Sequence, residues 1–208
     1  MYHGEKLNSI THLVGAILAL VGFGALLTIA LEAPNWRILV GFTVFGLTLI
    51  MLYSMSTLYH SFSSPKLKKI FQELDHVSIY LLIAGTYTPY MLLSLQNSDG
   101  MLMLGIVWGL AVVGLSIDVL VEKRIEWLQI IIYLAMGWVC VFKYSALQVA
   151  VAGDGVFWLT FGGGAYTVGV IFYVLDGMNK MKHAHGIWHL FVLLGSVSHF
   201  ISIAFYVR

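Results

Sequence analysis

The chain has 208 residues, 60% of them hydrophobic and 10% charged, with a formal net charge of +1 and a mean hydropathy of +0.89. This composition excludes an ordinary soluble domain, and without a basic stripe or a low-complexity segment it gives no reason to expect a nucleic-acid partner. The one cysteine, Cys140, has no second thiol to pair with and lies in an apolar run as lining.

Seven apolar runs follow in order: Ile10–Leu31, Ile38–Tyr59, Val77–Leu95, Met101–Ile117, Trp127–Phe142, Val156–Leu175 and Gly186–Val207. A run of ~20 residues at 1.5 Å rise crosses a hydrocarbon core of ~30 Å. The runs are continuous rather than alternating, which favours helices over barrel strands. The first is too long for a typical signal-peptide core and reads as a retained helix. Asp118 closes the fourth run, Lys143 ends the fifth and Asp176 closes the sixth. Short connections carry turn formers at Ala33-Pro34-Asn35, Asn97-Ser98-Asp99-Gly100 and Gly153-Asp154-Gly155. The expected fold is an all-α integral membrane protein, one seven-helix transmembrane domain over residues 1–208.

Charge orients it. With the N-terminus inside, the cytoplasmic segments hold Lys6, Lys66, Lys68, Lys69, Lys123, Arg124, Lys180 and Lys182, against Arg37, Lys143 and Arg208 outside. That bias predicts a cytoplasmic N-terminus and an external C-terminus. Gly41 and Gly46, Gly105 and Gly109, and Gly162-Gly163-Gly164 suit close helix packing. Trp36, Trp127 and Trp158 sit near run ends, as interface anchors do. No internal repeat supports an inverted-repeat transporter.

The chemistry gathers on the predicted inner face. His185 and His189, at i and i+4, lie about 40° apart around a helix and can converge on one metal ion. Read blandly, they are interfacial imidazoles hydrogen-bonded to neighbours. His60 ends the second run at the same depth, with Ser56 one turn before it, and Asp75 opens the third run after a short basic loop. Three neutral imidazoles suit Zn²⁺ and leave a fourth position for water, although Fe, Co, Ni or Cu also accept such a set. An open site of that kind lowers the pKa of water to ~7 and serves attack on a carbonyl. Asp75 then orients or deprotonates the water, and Ser56 bonds it or a substrate oxygen. In the bland alternative Asp75 partners free N–H groups at a helix start and Ser56 bonds back to a carbonyl. Glu5, Asn8 and His12 share one helical face at the same depth and are candidate supporting residues, with Glu5 also readable as a first-turn acid and His12 either a polar packing partner or a group approaching the metal from behind its ligands. His76, His183 and His199 are weaker candidates, and nothing argues for His3.

Together these motifs resemble the progestin and adipoQ receptor family in its bacterial hemolysin III branch. Glu5-x2-Asn8-x3-His12, Ser56-x3-His60 with Asp75 downstream, and His185-x3-His189 carry the resemblance, which covers essentially the whole chain. It implies a zinc ion on the residues matching His60, His185 and His189, with water as fourth ligand and Ser56 and Asp75 beside it. The eukaryotic relatives act as membrane receptors, some associated with ceramide hydrolysis, and alkaline ceramidases belong to the wider superfamily. Bacterial members carry a hemolysin label and a link to membrane lipid homeostasis. The connector Asn179-Lys180-Met181-Lys182-His183 departs from the pattern by lacking a proline. The resulting expectation is a zinc-dependent hydrolase of a lipid amide or ester, with a membrane lipid as substrate or ligand. The alternatives are a receptor with structural zinc and a cytolytic pore. The pore reading lacks an amphipathic segment suited to insertion from solution. A soluble protein partner is not legible in the chain.

Overall fold

The structure is a computed structural model that describes residues 2, 4–97, 99–121 and 125–208. His3, Ser98, Lys123 and Arg124, which entered the sequence reading, lie outside the described residues. Among those described, seven helical spans are long and apolar enough to cross a membrane. They comprise α1 (Lys6–Glu32), α2 (Trp36–Ser61), α3 (Pro65–Pro89), α4 (Gly100–Leu120), α5 (Glu126–Trp138), α6 (Tyr144–Ala150), α7 (Gly155–Gly177) and α8 (Ala184–Tyr206), with α5 and α6 sharing the fifth span. An odd number of crossings puts the two ends of the chain on opposite faces.

Helix α2 packs between α1 and α3, α8 packs on α7, and α1 meets α8 to close the bundle. The third span is the central post, 72% buried along its most apolar window against 11% for the fifth. Side chains that vanish from the surface, such as Leu26, Phe42, Phe45, Val107 and Met136 of other spans and Met91 of this one, form the core. Close approach is bought by small residues: a Cβ at Gly46 would come within 2.3 Å of Phe23, and one at Gly162 within 2.4 Å of His199. Gly105, Gly109, Gly163 and Gly164 have nothing within 4 Å of such a Cβ, so close packing at these positions is not what the fold uses.

The helices outrun the apolar patches, and one difference changes a residue's meaning. Helix α3 begins at Pro65, just after Ser64, rather than near Val77. Proline suits the first turn because its missing N–H would be unbonded there anyway. Asp75 is therefore buried well inside α3 rather than opening it, and the role of partner to free N–H groups at a helix start is overturned. Similarly, Asp118 and Asp176 lie within the last turns of α4 and α7 rather than beyond them.

Two spans are irregular. Pro89 cannot donate to Gly85, and the third span runs on as a π-helical turn over Tyr90–Ser94. The fifth span continues past Lys143, through a 3₁₀ turn at Val139–Lys143 into α6. At that break the Tyr87 hydroxyl accepts from the Cys140 N–H at 2.9 Å and donates to the Gly137 carbonyl at 2.8 Å. A side chain from α3 thus replaces part of the helical ladder. Lys143, just beyond, pairs with the Asp99 carboxylate.

Candidate metal centre

Three helix ends meet on one face: the start of α1, the end of α2 and the start of α8. Gly186 lets α1 in, because a Cβ there would meet Leu7 at 2.5 Å and the Asn8 side-chain oxygen at 3.1 Å. His60, His185 and His189 each offer one donor atom within 4.8 Å of the others. His60 and His189 are fully buried, and His185 is half-buried.

The hydrogen bonds assign the ring nitrogens. His185 Nδ1 lies 2.9 Å from Asp176 Oδ2, and His189 Nδ1 lies 3.2 Å from the Asn8 carbonyl oxygen. Neither a carboxylate nor a carbonyl can donate, so Nδ1–H is the donor in both rings and Nε2 carries the lone pair. His60 Nδ1 faces the Glu5 carboxylate at 3.6 Å, and Lys68 Nζ holds that carboxylate at 2.7 and 2.8 Å. The Nε2 atoms of all three histidines are buried without a hydrogen-bond partner. Unpaired buried acceptors are costly. Three such nitrogens, two on rings whose Nδ1 bonds an oxygen and the third on a ring that faces the Glu5 carboxylate, form the donor set that a divalent metal satisfies. The residues present fit such an ion, and the three histidines can hold one; the arrangement does not distinguish zinc from other imidazole-binding metals.

Of the supporting residues, Asn8 contributes its backbone carbonyl, and Glu5 reaches both Lys68 and His60 instead of only favouring the helix dipole. The His12 ring stacks on His189 with centroids 3.5 Å apart and planes 12° from parallel, and both of its nitrogens are buried without a hydrogen-bond partner. Ser56 is buried, and its Oγ likewise has no partner, whereas Thr57 and Ser61 bond back to carbonyls of α2. The back-bonded alternative for Ser56 is therefore not what its hydroxyl does. Asp75 lies on the wall of a cavity of about 200 Å³ that His12 and His76 also line. The cavity runs from these residues into the bundle between the third span, the fifth span, α7 and α8, past Tyr87 to Leu147.

Asp176 and Thr11 were not singled out from the sequence as parts of the site. Thr11 Oγ1 lies 3.3 Å from His189 Nδ1. A carboxylate at the depth of His185, on the far side of one tight connector, was the available signal for Asp176.

Seven apolar spans with three imidazoles converging at one face define a polytopic membrane protein with a candidate metal centre. The family model for haemolysin-III-related proteins matches residues 1–200, and the chain belongs to that family. It is 40% identical to Hemolysin-3 of Bacillus cereus over 98% of this chain and 91% of that one. It is 39% identical to the Hemolysin-3 homolog of Bacillus subtilis (strain 168), covering 97% and 93%. The human monocyte to macrophage differentiation factor is 29% identical over 94% of this chain and 81% of its own. No solved structure matches the chain. The spans and the bacterial relatives make this a multi-pass bacterial membrane protein.

Proposed function

We propose that this protein is a zinc-dependent hydrolase of a lipid amide or ester, working at the cytoplasmic boundary of the plasma membrane in membrane lipid homeostasis. One observation carries the reading: three clustered imidazoles have buried, unpartnered Nε2 atoms, and His12, whose ring stacks on His189, lines a largely apolar cavity with Asp75 in its wall. The cytoplasmic assignment rests on charge. Among the described residues the histidine face carries Lys6, Lys66, Lys68, Lys69, Lys180 and Lys182, and the opposite face Arg37, Lys143 and Arg208.

His60, His185 and His189 would hold the ion through Nε2. When bound, it supplies Lewis-acid polarisation of a carbonyl and a more acidic water. The chain's own residues do the rest. Asp176 and the Asn8 carbonyl fix two of the rings, as acceptors behind metal-ligating histidines do, and the Glu5 carboxylate faces the third. The apolar cavity binds an acyl chain and excludes bulk water from it. Asp75 takes a proton from water at its carboxylate and returns it to the leaving amine or alcohol, while the carbonyl C–N or C–O bond breaks and a new C–O bond forms. Ser56 Oγ–H donates to the oxygen on which charge develops.

The test pairs metal analysis of detergent-purified protein with a hydrolysis screen over ceramides, acyl-amides and phospholipids. About one zinc per chain and release of a free acid are expected, the acid lost in Asp75→Asn with the metal kept. A zinc-loaded protein inert across the screen, beside an active relative under matched conditions, rejects the enzyme.

A receptor with structural metal is the second reading, favoured by the ligands coming from α2 and α8, which an ion would cross-link. In that case His189→Ala lowers thermal stability, and no turnover is found to lose. The relatives' hemolysin names raise a pore, and dye release from liposomes with chemically unchanged lipid would support it.

A further inference from the structure

The cavity ends blind at the end of the bundle away from the histidines. Its last lining residues in that direction are Met91 on the third span, Leu147 on α6, Leu159 on α7 and His199 on α8. Further along the same elements, Leu93, Val151 and Ile203 are at most 4% exposed and line no part of the cavity. The packing there is tight: a Cβ at Gly155 would come within 2.5 Å of both Val151 and Tyr206. Buried side chains beyond the lining ones make a floor and not a channel.

Leu147 is the floor residue that the fold sets apart. It is the one buried residue of α6, whereas Val149 on the same short helix is 90% exposed. Tyr144 lies three residues before it on the same face, and its hydroxyl meets that of Thr160 on α7 at 3.3 Å. Further in, Trp138 Nε1–H donates to the Thr167 hydroxyl at 3.1 Å. Both bonds tie the fifth span to α7 along the side wall of the cavity.

The lining runs from Asp75 to Met91 on the third span and from Tyr173 to Leu159 on α7, about 21–24 Å at 1.5 Å per residue. An extended chain advances about 1.2 Å per backbone bond, a third of its reach per residue in a polypeptide, so about 18–20 carbons fill that depth. We propose that Leu147 is a length stop: the acyl chain lies extended with its methyl end on Leu147, and the site takes long chains of up to about 18–20 carbons. This names the chain class of the proposed hydrolase's substrate and rests on the cavity being its lipid site.

The test offers an equimolar mixture of straight-chain saturated fatty acids, with lengths below and above the stop, to the full-length, zinc-loaded protein in detergent. Bound acids are released and counted by mass spectrometry. Micelles take up each added methylene about as well as an apolar pocket does, so the bound share should stay level up to the stop and fall about fourfold per carbon beyond it. Leu147→Ala clears space at the floor and should move that edge up by about two carbons. Leu147→Phe fills it and should move the edge down by about one or two. Val149→Ala, on the exposed side of α6, should leave the profile unchanged. If Leu147→Ala fails to fold, Leu147→Phe decides alone. An edge that stays in place in the Leu147 variants overturns the stop while leaving the lipid site standing. So does a wild-type profile with no upper edge, which means that longer chains leave sideways between the fifth span and α7. If wild type binds no fatty acid, the lipid reading of the cavity fails first and takes the stop with it.

Discussion

Asp176 gives the sharpest test of the metal centre, because it touches the site only through His185. The Asp176–His185 bond is 2.9 Å and charge-assisted, and loss of such a partner behind a metal-ligating histidine costs 10–100-fold in metal affinity, about 1.4–2.7 kcal/mol. The carboxylate is 41% exposed, so water competes for the ring N–H and salt screens the charge. We therefore expect the lower end: about tenfold weaker binding in Asp176→Ala, and about threefold in Asp176→Asn, which keeps an acceptor oxygen but loses the charge. His185→Ala, which removes a ligand, should fall by far more. Asp118→Ala breaks a 2.7 Å bond to Gln129 outside the site and should leave metal affinity unchanged. Chelator competition on purified protein, with bound metal read by mass spectrometry, gives all four affinities. Wild-type affinity in Asp176→Ala beside a large loss in His185→Ala would refute the orienting role. Wild-type affinity in both would remove His185 from the ligand set.

Further expectations follow from the packing and the catalytic wall. Gly162→Ala drives a methyl into His199 and should cost about 1–3 kcal/mol, read as a lower midpoint of thermal unfolding. Gly163→Ala, with nothing within 4 Å, should leave the midpoint unchanged or raise it slightly, and similar losses in both variants would contradict the packing argument. Tyr87→Phe strands the Cys140 N–H and the Gly137 carbonyl, so faster amide exchange over residues 137–143 and a loss of about 1–3 kcal/mol are expected. Asp75→Asn should retain zinc while turnover drops about 10²–10⁴-fold; unchanged turnover would move the proton transfer to another group.

The seven spans were legible because bilayer thickness imposes a length that composition alone reveals, whereas their ends were not. Lys66 to Glu73 read as a basic loop, yet they wind as the first turns of α3, since a helix can run beyond the hydrocarbon once its polar side chains reach water. That shift took Asp75 from a helix start to a buried cavity wall. The fifth span's 3₁₀ turn was invisible for a different reason: its cause, the Tyr87 hydroxyl, lies on another helix fifty residues away in sequence. The glycines at 105 and 109 have the spacing of a packing motif, but spacing does not say which face of α4 turns inward. Convergence of His60 with His185 and His189 was inferable from span parity, which puts the end of α2 and the start of α8 on one face. The partners behind the rings were less accessible, because Asn8 acts through a backbone carbonyl that any residue possesses.

The histidine cluster also has a temporal consequence. Its parts come from Glu5 to His12, from His60 and from His185 to His189, near the two extremities of the sequence. During synthesis the early segments wait in the bilayer, with their half of the cluster exposed, until the last span leaves the translocation machinery. An ion captured there would fasten the last helix to the second, so metal uptake would mark the moment at which membrane insertion is complete.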